Sequence, residues 1–419
     1  MIALVDCNNF YVSCERVFSP HLNFKAVVVL SNNDGCVVSR SNEAKLLGVK
    51  MAAPYFQVKA EFNDKIIAIS SNYALYADMS KRVMTILKEF APIQEIYSID
   101  ECFLNFSGIS VEEIEIRCQD AIKRVQMWIG LPISIGIAQT KTEAKLAANL
   151  AKKFPKRFNG LCNIYDFDSA TRDKIYEKIS AVDVWGVGKK TFEKLVKYHI
   201  LTVKELKNTD YKNLKSLFSV NLEKIILELN GVPVIKFEDI GCKKQIMVSR
   251  SFSKPITTIE KLEIAVSKFC ERVCEKLRNQ NSFATTATLF ISTNRFEEMY
   301  FAGTEEITFN ATNNTLFITH SVLDSLRKLF RVDLTYKRAG IILSGIREKY
   351  VIQNSLFDPI DEVLEHKKQE LMKTLDKVNQ KFANSIELAS SVSELSEHLT
   401  RDSVSPHYTT RLEDIIKVK

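Results

Sequence analysis

Two adjacent carboxylates, Asp100 and Glu101, interrupt an otherwise apolar, strand-like run, Ile96-Tyr97-Ser98-Ile99-Asp100-Glu101-Cys102-Phe103-Leu104-Asn105-Phe106. Burying such a pair costs several kcal/mol unless cations compensate it. Neighbours in a straight strand point to opposite faces, so both acids can serve one ion only where the chain bends. The pair is therefore expected at or next to a hairpin turn. A third acid, Asp6, ends the apolar strand that opens the chain, Met1-Ile2-Ala3-Leu4-Val5-Asp6. A solvated hairpin and a helix N-cap are the plainer readings of these acids. Taken together they match a ligand set for two Mg²⁺ ions, hard cations that take oxygen ligands and share substrate phosphates. Two such ions clamp the attacking and leaving oxygens of an in-line phosphoryl displacement. The chemistry to look for is nucleotidyl or phosphodiester transfer.

The surrounding elements must deliver these side chains. After the first strand, two β runs at 26–30 and 36–38 flank Asn32-Asn33-Asp34-Gly35, a hairpin signal. Ser41 caps a short helix through Leu47 that carries Lys45. A helical pattern spans 74–90, then come the acidic hairpin, a helix over 111–128, a strand over 132–138 and a helix over 142–153, capped by Thr140 or Thr142. This order is that of a split βαβ, ferredoxin-like sheet with residues 26–70 inserted. Topology alone names no activity. Lys145 falls in the first turn of the last helix, where an ammonium and the positive dipole end can meet a triphosphate.

A chain of 419 residues has room for two to four domains. The 58 basic and 51 acidic residues leave a net charge of +7, which suits a polyanionic partner without demanding one. No apolar run approaches about 18 residues, and the N-terminus has no basic leader, so neither a membrane span nor an export signal is expected. Nine scattered cysteines contain no C-x-x-C. Cys270 and Cys274 share a helical face, which favours core packing over zinc. A reducing, cytoplasmic location is the expectation.

From residue 166 the chain turns to short lysine-rich helices. Within them Trp185-Gly186-Val187-Gly188-Lys189-Lys190-Thr191 reads as a glycine turn opening a basic helix, like a helix-hairpin-helix gripping a DNA backbone. Plain helix termination is the competing reading. From about residue 241 a second mixed β/α pattern begins, with strands over 245–252, 284–291, 306–309 and 337–343 and helices over 261–277 and 318–330; residues 236–350 hold 18 basic and 13 acidic residues, a net of +5. Beyond it, Gln353-Asn354-Ser355-Leu356-Phe357 offers an apolar pair in a polar stretch, and Ile360, Leu364, Leu371, Leu375, Val378 and Phe382 form an amphipathic stripe. That stripe suits a small docking domain or a partner-binding helix.

Several motifs together resemble those of Y-family translesion DNA polymerases. They are Asp6-x-Asn8-x-Phe10-Tyr11, Ser31-Asn32-Asn33-Asp34-Gly35-Cys36-Val37, Ser70-Ser71-Asn72-Tyr73, Tyr97-Ser98-Ile99-Asp100-Glu101, Gly136-Ile137-Ala138-Gln139-Thr140-Lys141-Thr142 and Val184-Trp185-Gly186-Val187-Gly188. With Ser405-Pro406-His407-Tyr408-Thr409-Thr410-Arg411 they resemble the UmuC subgroup, which supplies the catalytic subunit of bacterial DNA polymerase V. The likeness runs over essentially the whole chain.

The resemblance implies an α+β multidomain, right-hand polymerase. Its parts would be a ferredoxin-like palm (1–22 and 72–165), small fingers (23–71), a helical thumb (166–235), a mixed β/α little finger (241–350) and a clamp-binding linker with a C-terminal partner-binding region (351–419). It implies two Mg²⁺ ions on Asp6, Asp100, Glu101 and the backbone carbonyl of Cys7, and nucleotide contacts from Phe10, Tyr11, Ser39, Lys45 and Lys145. Tyr11 stands at the steric-gate position, where a ring excludes a 2′-hydroxyl. The family often has a Tyr and an Arg around the Ser39–Lys45 helix, where this chain has Asn42 and Lys45; lysine lacks arginine's fork, so contact is carried over without its geometry. Gly186, Gly188, Lys189 and Lys190 would hold the DNA backbone. Gln353, Leu356 and Phe357 resemble a sliding-clamp peptide, a tether that raises effective concentration on DNA. The implied partners are primed or damaged DNA, dNTPs, the clamp, an UmuD′-like dimer and a RecA filament. Phe382-Ala383-Asn384-Ser385 departs from a subgroup segment that is often basic and glycine-rich.

The activity implied is error-prone, template-directed synthesis past lesions in the SOS response. Two readings from other classes use some of the same residues: a two-metal nuclease or cyclase, and a non-catalytic adaptor recruiting clamp and RecA. Tyr11 and the glycine-turn motif have no task in the first, and an adaptor has no need of three acids.

Overall fold

The computed structural model describes residues 1–211, 219–237, 241–348, 362–382, 385–392 and 403–415. They fall into two compact units, Met1–Asp239 with Thr400–Lys419, and Ile240–Leu399.

In the first unit the chain opens with β1 (Ile2–Cys7) and α1 (Phe10–Phe18). An inserted lobe follows, built from β2 (Val27–Leu30), β3 (Val37–Arg40), α2 (Asn42–Leu46), α3 (Tyr55–Phe62) and β4 (Ile67–Ser70). Then come α4 (Tyr73–Leu87), β5 (Ile93–Ile96), β6 (Glu101–Asn105), α5 (Val111–Ile129), β7 (Ile133–Ala138), α6 (Lys141–Lys153), α7 (Pro155–Phe158) and β8 (Leu161–Asn163). The helical remainder comprises α8 (Ser169–Glu177), α9 (Lys189–Val196), α10 (Val203–Lys207) and α11 (Val220–Leu229).

β1 is apolar at five of its six positions because it lies in the middle of a sheet ordered β5-β6-β1-β7-β8, antiparallel to both β6 and β7. Its side chains alternate between two cores. Ala3, Val5 and Cys7 face the α1, α4 and α5 core; Ile2 and Leu4 face the core that α6 closes. Even-numbered Asp6 continues the α6 face. In β6 the same alternation puts Cys102 and Leu104 on the first face and Phe103 on the second, so Glu101 shares the α6 side with Asp6.

α6 lies directly on β7 because residue 136 is glycine: a Cβ there would come within 2.0 Å of Ala148 N and 2.3 Å of Ala144 O. Thr140 is the cap of α6, accepting from Glu143 N–H at 3.3 Å. Ser41 caps α2 as expected. α1 was not expected; Phe, Tyr and Val in its first turn and a cap without a side-chain bond gave no helix signal. In the β2–β3 connection the left-handed positions are Asn33 and Asp34 (φ 57° and 48°), not Gly35 (φ −73°). Short polar side chains make that conformation accessible.

The C-terminal segment of this unit packs beside β4. Ser70 N–H donates to Ser403 O at 3.0 Å, Val404 bridges Ser70 in parallel, and Tyr408 stacks on Phe18 with centroids 4.7 Å apart.

The second unit has β9 (Ile246–Ile256), α12 (Ile259–Asn279), β10 (Ala284–Ser292), β11 (Ala302–Thr312), α13 (Thr315–Leu329), β12 (Tyr336–Ser344) and α14 (Glu362–Lys381). Its antiparallel sheet is ordered β11-β10-β12-β9, and Cys270 and Cys274 lie in its apolar core, as their helical spacing indicates. β11 begins four residues before the expected 306, at Ala302. The stripe on α14 needs correction. Met372 is its buried residue, while Leu371 and Phe382 are exposed and Leu375 and Val378 half-buried. The helix packs within its own unit through a buried pair, Asp376 accepting from Arg278 Nε and Nη2 at 2.6 and 2.7 Å. Ile360, the side chain of Leu364, Ala383 and Asn384 lie outside the described residues, as does the peptide Gln353, Leu356 and Phe357.

Candidate active site

Strand pairing places Asp6 opposite Glu101, and Cys7 N–H donates to Asp100 O at 2.8 Å. Asp100 stands in the turn between β5 and β6, where its Oδ1 accepts from Ser98 Oγ at 2.7 Å. The acids thus reach the end of β1 from a strand and a turn, as the bend argument requires. Burial raises the Asp6 carboxyl above its ordinary value; Lys152 opposes this and the charges of Glu101 and Asp100 reinforce it. The Cys7 thiol is buried in the α1, α4 and α5 core, on the face of β1 away from Asp6, and burial pushes it well above the thiol range.

Two lysines of α6 answer the acids. Lys152 Nζ lies 2.6 Å from Asp6 Oδ1, and Lys145 Nζ lies 2.8 Å from Glu101 Oε2, above the rings of Tyr97 and Trp185. Lys145 is in the second turn of α6, not the first, which explains why it meets Glu101 instead of the helix dipole. Lys152 was missed by sequence reasoning. Its signal was present: it follows Lys145 by seven residues, two helical turns, and so shares its face. The residue that does open α6, Lys141, is buried on Glu95 at 2.7 and 2.8 Å.

Beside Asp6 a cleft is lined by Asn8, Asn9, Asn42, Ser134 and Lys152. Asn9, left-handed at φ 50°, precedes α1 without a side-chain cap. Its amide donates to Asn42 Oδ1 at 3.0 Å, and Lys45 Nζ donates to its Oδ1. Burial, then the charges of Lys152 and Arg40, lower the pKa of Lys45, and the charge of Asp6 opposes them.

Two of the residues expected to contact the nucleotide have buried side chains. The Phe10 side chain is buried in the sheet core at 3% exposure, which leaves only its backbone, at the start of α1, for a nucleotide contact. Ser39 is buried beneath α1, its hydroxyl between Val12 N–H (3.5 Å) and Asn9 O (3.4 Å). It shapes the N-terminus of α1. Tyr11 is half-buried and stacks on Tyr76, centroids 4.5 Å apart at 19°. Gly186 turns with φ 86°, Gly188 caps α9, and Lys189 and Lys190 open that helix exposed.

The donor set fits Mg²⁺ in chemistry: oxygen ligands only, with ammonium groups standing in as counter-cations at Asp6 and Glu101. Among the described residues, no three His, Cys, Asp or Glu side chains are gathered closely enough to hold a metal as they stand.

A family model described as the impB/mucB/samB family matches residues 5–149, and its C-terminal domain matches 243–356. Protein UmuC of Salmonella typhimurium is 37% identical over 431 residues, covering all of both chains. The chain belongs to the UmuC-type Y-family DNA polymerases. Protein SamB of Salmonella typhimurium is 38% identical to this UmuC-type polymerase across both full lengths, and a DNA polymerase IV of Clostridium kluyveri is 28% identical over 92% of this chain and 96% of its own. The enzyme class is DNA-directed DNA polymerase. The fold agrees: a Y-family DNA polymerase chimera, Dbh-Dpo4(243-245)-Dbh, superposes with a TM-score of 0.67 at 18% identity, covering 83% of this chain and all of the chimera. A further match, residues 369–418 of the UmuC-type polymerase, is to a domain of unknown function. Among the described residues no helix is long and apolar enough to cross a membrane.

Proposed function

We propose that this polymerase performs error-prone translesion synthesis on primed, damaged DNA by two-metal nucleotidyl transfer, induced with the SOS response. The observation that supports the reading is the placement of Asp6 opposite Glu101, with Asp100 in the adjoining turn, next to the uncapped start of α1 and the lysines of α6. Asp6, Asp100, Glu101 and the Cys7 carbonyl would hold the ions. Mg²⁺ held there would supply charge neutralisation for the attacking 3′-oxygen and the departing pyrophosphate.

The chain's own residues do the rest. Backbone N–H groups at the start of α1, with Lys45 and Lys152, bind the dNTP phosphates. Tyr11 packs against the sugar. Lys145 keeps Glu101 compensated until the ions arrive. Gly186 and Gly188 open backbone donors, and Lys189 and Lys190 add charge, to a DNA phosphate run. Palm, fingers, thumb and little finger take the borders given by the motifs.

The clamp contact through Gln353, Leu356 and Phe357, and UmuD′-like and RecA partners for the tail, rest on sequence resemblance. Primer extension with Mg²⁺ and dNTPs tests the reading, run alone and then with clamp, UmuD′-like dimer and activated RecA. Extension is expected, and its dependence on each addition identifies the real partners. Primer shortening instead would establish the nuclease, and no change with every partner present would leave the adaptor.

A further inference from the structure

Behind Tyr11 lies a chain of contacts that ends in the region of unknown function. Tyr11 and Glu15 are four residues apart on α1 and so share a face. The ring stacked on Tyr11 belongs to Tyr76, fully buried on α4, and the hydroxyl of Tyr76 donates to Glu15 Oε1 at 2.6 Å. The same oxygen accepts from Ser405 Oγ at 3.1 Å, across 390 residues of sequence. Glu15 is 1% exposed, so these two hydroxyls replace water around that oxygen.

Ser405 is itself held. Asn72 Nδ2 lies within hydrogen-bond distance of Ser405 O (3.1 Å), Ser405 Oγ (3.0 Å) and Pro406 O (3.2 Å). Asn72 is also the N-cap of α4, accepting from Leu75 N–H, and α4 carries both Tyr76 and Tyr73, whose ring meets Tyr11 edge-on at 5.9 Å. One short segment therefore fixes the helix start and the carboxylate that together hold the ring behind Tyr11.

We propose that Ser405 is a positioning residue for Tyr11, acting through Glu15 and Tyr76, so that the C-terminal segment sets the discrimination between deoxyribo- and ribonucleotides. The inference rests on the reading of Tyr11 as the residue against the sugar. A ring that excludes one hydroxyl must be held to within about 0.5 Å, which a stack on a mobile partner cannot do. Removing either hydroxyl frees Tyr76 to shift and widens the space at the 2′ position.

The test is the ratio of kcat/KM for a dNTP to that for the matching rNTP in full-length wild type, Ser405→Ala, Tyr76→Phe, Glu15→Gln and Tyr11→Ala. Ser405→Ala and Tyr76→Phe are expected to lower the ratio about fivefold, the worth of one hydrogen bond. The change should come through better rNTP use, with dNTP kcat/KM held within about twofold. Glu15→Gln keeps an acceptor oxygen and should keep most of the ratio. Tyr76→Phe preserves ring and volume, so its dNTP activity reports an intact fold independently of the C-terminal segment. An equal decline for both nucleotides in these variants, or loss of synthesis, means a merely structural role and overturns the proposal. An unchanged ratio in Tyr11→Ala would instead refute the reading of Tyr11 itself.

Discussion

Lys152, on the last turn of α6, donates to Asp6 Oδ1 at 2.6 Å, so the helix lying across β1 returns a cation to the acid that β1 delivers. The same ammonium lines the cleft at the start of α1. Lys152→Ala should lower kcat/KM for dNTPs about 10- to 100-fold, the range of one charge-assisted phosphate contact, mainly through KM. Lys152→Arg should recover part of it. Steady-state incorporation kinetics decide; an unchanged KM in the alanine variant removes Lys152 from the phosphate site.

Gly136 permits the contact that puts both lysines in place. Because a Cβ at 136 would meet backbone atoms of α6 and not a movable side chain, repacking cannot relieve it. Gly136→Ala should cost at least about 4 kcal/mol, beyond ordinary overpacking. Urea denaturation checks this, and a loss under 1 kcal/mol would show that α6 can lift without consequence.

Lys141 is 1% exposed and bridges both Glu95 oxygens and Lys236 O. Lys141→Met takes the ammonium away from a poorly solvated carboxylate and should destabilise by about 3 kcal/mol, whereas Lys141→Met with Glu95→Leu should recover part of it. A double-mutant cycle in urea measures the coupling; additive losses would contradict it.

Much of the architecture was legible because period and burial agree in this chain. Continuous apolar runs in β1 and β7, the capped start at Thr140 and the βαββαβ order of the second unit all follow from local rules. The hairpin position of Asp100 and Glu101 was legible too, since adjacent acids can serve one ion only at a bend, and the strand register sets Glu101 opposite Asp6. What failed was orientation. Phe10 and Tyr11 are equally aromatic, and only the core behind α1 decides that one is buried and the other half-exposed. Lys145 and Lys152 are equally placed on a helix face, and their partners depend on which strand end lies beneath each. Asn72 and Ser405 have no local signal for meeting, because their bond closes 333 residues.

The Glu15 carboxyl is raised above 4.5 by burial, which its bonds to Tyr76 and Ser405 only partly offset. Between 4.5 and that raised value the folded chain holds a proton the unfolded chain has lost. Glu15 thus favours folding increasingly as pH falls through that window, and carries its full cost above it. Wild type should gain thermal stability relative to Glu15→Gln as pH drops from 7.5 towards 4.5. Parallel Tm profiles for the two proteins would contradict this.

Asp6, Asp100 and Glu101 are proposed to hold the catalytic metal at one sheet end. Single-turnover incorporation of a correct dNTP, titrated with Mg²⁺, tests it in Asp6→Asn, Asp100→Asn and Glu101→Gln, changes that keep shape and remove charge. Each variant should lose at least about 100-fold in rate, the effect of removing one group that stabilises charge in the transition state, with a weakened response to Mg²⁺. Wild-type rates and an unchanged Mg²⁺ dependence in any of the three would take that residue out of the metal site; the same result in all three would contradict the account.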